Sequence, residues 1–307
     1  MAMGQPASLP PLDVSRAPEG GEVGAIQSGW RLALREFSHN RLAVTGIGIL
    51  IFFVIFCFIG PLFYHGDILN VNPIAANEPP GAGHPIGTDA NGFDVLGQLM
   101  KGGQAALEIG FFAAFVGITL GALVGAVAGL IGGIVDATLM RVVDIFLSVP
   151  FLFVVLILAV RYGASVLSLS LVIGGFTWPV PARLVRGEVL SIRERDFVLA
   201  ARTAGSGNWR LIFRHLLPNA FGVVVVNVTF QVADAILAVA YVGFLGFGLH
   251  YPNTDWGDLL SNGVGYLTDG YWWLIYPVGA CIVLTVMALN FIGDALRDSL
   301  DVRLRRR

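Results

Sequence analysis

The chain has 307 residues, of which 55% are hydrophobic and 13% charged, and its mean hydropathy is +0.74. Soluble domains carry about 25% charged residues, so this balance excludes an ordinary water-soluble fold and makes the bilayer the solvent. The formal net charge of −2 gives no electrostatic basis for a nucleic-acid partner.

Residues 1–29 are rich in Pro, Gly and small polar types, without an early basic cluster or an apolar signal-peptide core, and read as a disordered cytoplasmic tail. Over 30–41, Trp30, Leu34 and Phe37 recur at helical spacing beside Arg31, Arg35 and Arg41. This pattern suits a short helix lying at the headgroup boundary.

Residues 42–296 then read as one permease domain. Six apolar stretches are long enough to cross a ~30 Å hydrocarbon core: Leu42 to Phe63, Ala105 to Ile131, Val142 to Val160, Val166 to Leu184, Ala220 to Phe247 and Trp272 to Ile292. With the amino terminus inside, every one of the 19 basic residues except Lys101 and Arg161 falls on the cytoplasmic side, including the basic tail 297–307. The lipid bilayer is therefore the first partner, and both termini are expected in the cytoplasm.

The second stretch carries Gly117, Gly121, Gly125, Gly129 and Gly133, a packing face on which a neighbouring backbone can approach closely. Two outer connections, Tyr64 to Gly103 and Leu249 to Tyr271, are rich in turn residues and read as ordered loops able to meet a soluble partner. Cys57 and Cys281 lie in apolar runs and read as small buried hydrophobes.

The long inner loop, 186–218, is patterned rather than linker-like. Phe197, Ala200, Ala201 and Ala204 suggest one side of a helix, Gly205 and Gly207 interrupt it, and Trp209, Ile212, Phe213 and Leu216 begin a second apolar pattern ended by Pro218. Two short helices with a glycine bend form a compact knob.

The stretch from Leu199 to Pro218 resembles the inner-loop signature of ATP-binding-cassette importer permeases, in which Glu-Ala-Ala is followed at fixed spacing by Gly and then Leu-Pro. Ala200, Ala201, Gly205, Leu217 and Pro218 stand in register, and Leu199 replaces the usual Glu. Further segments, WRLALREFSHNRLAV at Trp30, HPIGTDANGFDVL at His84, WPVPARLVRGEVL at Trp178, FLGFGL at Phe244 and NFIGDALRDSLDVRLR at Asn290, are similar to the second permease of dipeptide and oligopeptide importers. Phe93 stands where that branch commonly has Arg, and Val239 where it commonly has an acidic residue.

The resemblance implies an all-helical, six-span integral membrane fold of the type I importer permeases (MetI-like). It also implies ATPase docking through Leu199, Ala200, Ala201, Gly205, Arg214, Leu217 and Pro218. The implied partners are a second homologous permease, two ATP-binding-cassette ATPases carrying ATP and Mg, an extracytoplasmic solute-binding protein and a peptide substrate. No cofactor is expected on this chain.

Other chemistry fits poorly. A nucleotide-binding loop needs Gly-Lys-Ser/Thr, and the one lysine, Lys101, follows Met100. Asp89, Asn91 and Asp94 do not make a calcium hand, because Asp94 occupies the glycine position and Met100 the closing glutamate position. The five histidines show no paired ligand spacing, and no Gly-x-Ser-x-Gly elbow occurs, so an enzyme is not expected. Acidic residues within the apolar stretches are Glu108, Asp144 and Asp234. Asp144 is expected to pair with Arg141 one turn away, Glu108 to reach water near the outer end, and Asp234 to line the solute path. The competing readings are a proton-coupled secondary transporter working through Asp234 or Glu108, and an insertase or scaffold without transport.

Overall fold

The computed structural model describes residues 37–305. The expectations for the tail 1–29 and for Trp30, Arg31, Leu34 and Arg35 of the interfacial helix lie outside those residues. The described residues are mostly helical, and the arginine-rich and arginine-poor loops separate to opposite ends.

Helix α1 (Arg41–Phe63) opens on Asn40, whose Oδ1 accepts from the N–H groups of Leu42 and Ala43 at 3.0 and 3.3 Å. A π-helical turn at Ile55–Ile59 precedes Pro61. Proline has no N–H, so the carbonyl of Cys57 loses its normal helical donor. The side-chain amide of Gln104 takes its place at 2.7 Å.

Helix α2 (Val95–Ile131) is 37 residues long and is the centre of the fold. It begins ten residues before the expected Ala105, because Asp94 caps it through the Gly97 N–H at 2.8 Å. Polar Gln98, Lys101 and Gln104 lower the hydropathy of those first turns without breaking the helix. The glycine face packs on backbone. A Cβ at Gly121 would lie 2.7 Å from the Trp178 carbonyl, and one at Gly125 2.4 Å from that of Ala182. The face ends at Gly129, because Gly132 and Gly133 take positive φ (72° and 56°) and terminate the helix instead of extending the stripe.

Helices α3 (Gly133–Ser148) and α4 (Phe151–Tyr162) replace the expected straight span Val142 to Val160 and meet at an 81° bend. Pro150 lacks an N–H and drives Val149 into extended backbone (φ −86°, ψ 129°), so the apolar run cannot continue as one helix. Helix α5 (Val166–Thr177) starts in a capping box between Ser165 and Ser168. Trp178 keeps helical angles (φ −63°, ψ −24°) and leads into α6 (Pro179–Ile192), which carries the chain beyond the expected Leu184.

Helix α7 (Asp196–Thr203) precedes α8 (Asn208–Phe244). Pro218 does not end the second apolar pattern as expected. A π-helical turn at Ile212–Leu216, with the Leu217 N–H reaching back to the Ile212 carbonyl, absorbs the proline and the helix runs on. Helix α9 (Trp256–Val264) lies at the arginine-poor end, and α10 (Tyr276–Arg305) continues well past Ile292, so residues 297–305 are helical.

Among the described residues, four helices are each long and apolar enough to cross a membrane: α1, α2, α8 and the stretch Trp272–Leu300. The bent α3–α4 pair is a fifth candidate, and α5 is a shorter apolar helix that leads through Trp178 into α6. Helix α2 packs on α5, α6 and α8, while α8 packs on α10 and α10 on α1.

The arginine-poor half is closed by its loops. The Trp256 indole donates to the Leu99 carbonyl at 3.0 Å and that of Trp273 to the Thr88 carbonyl at 3.1 Å. The Tyr251 hydroxyl donates to the Leu69 carbonyl at 2.6 Å. Buried Asp94 also accepts from Tyr64 (2.7 Å) and contacts His84 Nδ1 at 2.9 Å.

Candidate functional site

At the arginine-rich end α7 stands out as a short helix supported from beneath by Val198, with half-buried Ala201 packed beside it. Val198 is fully buried in a cluster with Val189 and Ile192 of α6, Leu211 and Leu216 of α8, and Ala126 and Leu130 of α2. Burying a valine is worth about 1.5–3 kcal/mol. The anchor therefore seats the knob in a buried cluster to which α2, α6 and α8 all contribute. Asp196 in the first turn and Arg202 in the last both complement the helix dipole.

The opposite side of α7 is open. Leu199 is 42% exposed, and Ala200, Arg202, Thr203, Ala204 and Gly205 are exposed with it, whereas Ala201 leans half-buried toward the core. Beside them Trp209 stacks on Phe213 with ring centroids 5.9 Å apart, and both rings face outward. Arg214 and Pro218 are exposed and Leu217 is half-buried. Of the seven residues expected to dock, Leu199, Ala200, Gly205, Arg214 and Pro218 are exposed and Ala201 and Leu217 are half-buried.

Gly205 sets the bend by backbone geometry. Its N–H donates to the Arg202 carbonyl and the Ser206 N–H to the Ala201 carbonyl, each at 3.0 Å, with φ of +84° at Gly205. These are the two bonds of a Schellman cap, whose left-handed position favours glycine. A Cβ there would touch nothing within 4 Å, so the requirement lies in φ rather than in crowding.

Arginines brace the base of the knob. Arg186 forms a two-pronged pair with Asp136, and Arg193 donates to the Gly129 carbonyl at 2.8 Å. Asp144 pairs with Arg183 of α6, not with Arg141 as expected. Helices α3 and α6 run side by side here, and a partner on the neighbouring helix outcompetes the one on its own turn.

Asp234 lies on α8 between buried Ala233 and Ala235 and is itself exposed, with no ion pair among the described residues. Glu108 is half-buried on α2, thirteen residues from its start and therefore deeper than expected.

The sequence from 117 to 306 matches the family model described as the binding-protein-dependent transport system inner membrane component, and 28–80 matches the N-terminal TM domain of oligopeptide transport permease C. The chain belongs to this family of inner-membrane transport components. The permease is 38% identical to the oligopeptide transport system permease protein OppC of Escherichia coli over 281 residues, covering 91% of this chain and 93% of that one. It is 35% identical to the dipeptide transport system permease protein DppC of Bacillus subtilis over 274 residues, covering 89% and 86%. Its fold matches a chain in an inward-facing structure of the MetNI methionine ABC transporter with TM-score 0.53 at 23% identity, covering 66% of the permease and 96% of that chain. The permease is thus a multi-pass inner-membrane transport component rather than an enzyme, and nothing in these relatives supports a secondary transporter.

Sequence reading missed two parts of the permease's knob. Val198 was hidden because a single valine in an arginine-rich loop carries no periodic signal. The Asp136–Arg186 pair was hidden because its members are 50 positions apart.

Proposed function

We propose that this permease imports peptides of the dipeptide and oligopeptide class. It forms the translocation path with a second homologous permease, and two ATPases bearing ATP and Mg dock on the face of α7. An external binding protein delivers the solute at the arginine-poor end, and both termini lie in the cytoplasm. The peptide class rests on the names of the relatives. The docking role rests on one observation, an exposed small-residue knob whose fully buried Val198 belongs to a cluster shared by α2, α6 and α8.

Leu199, Ala200, Ala201, Gly205, Arg214, Leu217 and Pro218 form the docking surface, with Leu199 giving an apolar contact where a glutamate is usual. Small alanines admit close approach, and the Gly205 cap holds the knob at a fixed angle. Closure of the ATPases then moves α7, and the Val198 cluster passes that displacement to the crossing helices. Asp234, exposed midway along the outer part of α8, lines the path and meets the cationic end of the solute.

The test is uptake of labelled Leu-Leu by proteoliposomes holding the assembled transporter, binding protein and internal ATP. Accumulation that needs ATP and survives collapse of the proton gradient supports the proposal. Accumulation that follows the gradient and ignores ATP overturns it.

A further inference from the structure

A cavity of about 260 Å³ opens at the arginine-poor end, between the first turns of α2, α9 and the start of α10. Leu259, Leu274 and Val278 form its apolar wall, and Asp89, Gln98 and Asn262 supply its polar side. No lysine, arginine or histidine lines it.

Asp89 is the chemically distinctive group. Its Oδ1 accepts from the backbone N–H groups of Asn91 and Phe93 at 2.8 and 2.9 Å, and its Oδ2 accepts from Gln98 Nε2 at 2.9 Å. All three donors are neutral, and Asp89 takes part in none of the ion pairs among the described residues. Gln98 is itself 9% exposed, so the carboxylate is held in a fixed direction by a buried partner. A carboxylate offers about four acceptor positions, and three are used. A fixed, half-buried negative charge without a counter-ion is left beside an apolar wall.

We infer that this cavity is a receiving site for a primary ammonium group borne on a small apolar body, as in the amino-terminal residue of a peptide. The ammonium supplies the missing counter-charge and a donor for the free acceptor position on Asp89, and the side chain lies against Leu259, Leu274 and Val278. The volume accommodates one residue rather than a whole oligopeptide, so the site reads the terminus and leaves peptide length free. Naming a peptide as the bearer rests on the import proposal above; the ammonium preference does not.

The test uses the assembled transporter in lipid nanodiscs without binding protein, and measures calorimetrically the binding of leucine amide and of N-acetyl-leucine amide. The wild type is expected to bind the free amine about tenfold or more tightly than the acetylated probe, the scale of one charge-assisted hydrogen bond. Asp89→Asn removes that preference. Asp89→Asn with Gln98→Glu returns a carboxylate to the same cavity and restores part of it. Ala90→Phe, which fills the cavity without touching the hydrogen bonds, weakens both probes. Equal binding of the two probes by the wild type, an undiminished preference in Asp89→Asn, or unchanged affinities in Ala90→Phe overturns the inference. ATP-driven uptake of Leu-Leu by proteoliposomes holding the same transporter with its binding protein separates the two proposals. Uptake without an amine preference removes only the receiving site, and amine binding without uptake removes only peptide import.

Discussion

The Gln104 side chain donates to the Cys57 carbonyl at 2.7 Å, supplying the hydrogen bond that Pro61 denies it. In a lipid-facing bundle no water stands ready to replace that donor, so a helix broken by proline must be repaired from a neighbouring helix. Replacing Gln104 by leucine should destabilise the α1–α2 contact by about 1–3 kcal/mol, the cost of an unmet buried acceptor. Adding Pro61→Ala restores the backbone donor and should recover most of that loss. A double-mutant cycle of thermal stability in detergent measures this coupling, and additive effects would contradict it.

The Gly205 cap yields a graded prediction. The left-handed conformation costs a residue with a Cβ about 1–2 kcal/mol, least for Asn and most for a β-branched residue. Gly205→Asn should keep coupled uptake close to wild type, while Gly205→Val should lose most of it with insertion unchanged. Equal uptake by the two variants would show that φ at this position is not what matters.

Val198 joins the knob to the crossing helices. Val198→Ala should cost about 1–3 kcal/mol and loosen the link. Its expected signature is a fall in peptide transported per ATP hydrolysed while ATPase binding persists. A proportional fall in both rates would indicate simple loss of folded protein.

Burial holds the carboxyls of Asp255 and Asp258 above their ordinary value of 3.8; hydrogen bonds from the Leu249 and Asp258 N–H groups to Asp255 offset part of the rise. The folded state therefore binds their protons more tightly than the unfolded state does. The stabilisation is complete below pH 3.8 and is lost as pH rises through the folded values. The loops around α9 should resist protease better at mildly acidic than at neutral pH, and Asp258→Asn should flatten that dependence. A protease resistance that rises toward neutral pH would contradict the assignment.

Much of this architecture was legible in the chain because hydropathy and arginine placement act over long windows. The first span, the body of the central glycine helix and the glycine bend at Gly205 appeared at their positions. Proline was read less well. Pro150 breaks an apolar run that hydropathy alone would pass through the membrane, whereas Pro218 fails to end a helix because a π-helical turn absorbs it. Sequence spacing does not tell these outcomes apart, since each depends on whether neighbouring backbone can supply the missing bond. The partner of Asp144 was misread for a related reason: Arg183 is distant in sequence and adjacent only once α3 and α6 pack.

The most direct test of the docking proposal is photo-cross-linking in native membranes with benzoylphenylalanine at Ala200. Ile134, 85% exposed at the same end of the molecule, serves as the control. The account predicts an adduct between position 200 and a P-loop ATPase and none from position 134. Absence of the ATPase adduct at 200, or equal adducts from both positions, would contradict the docking face.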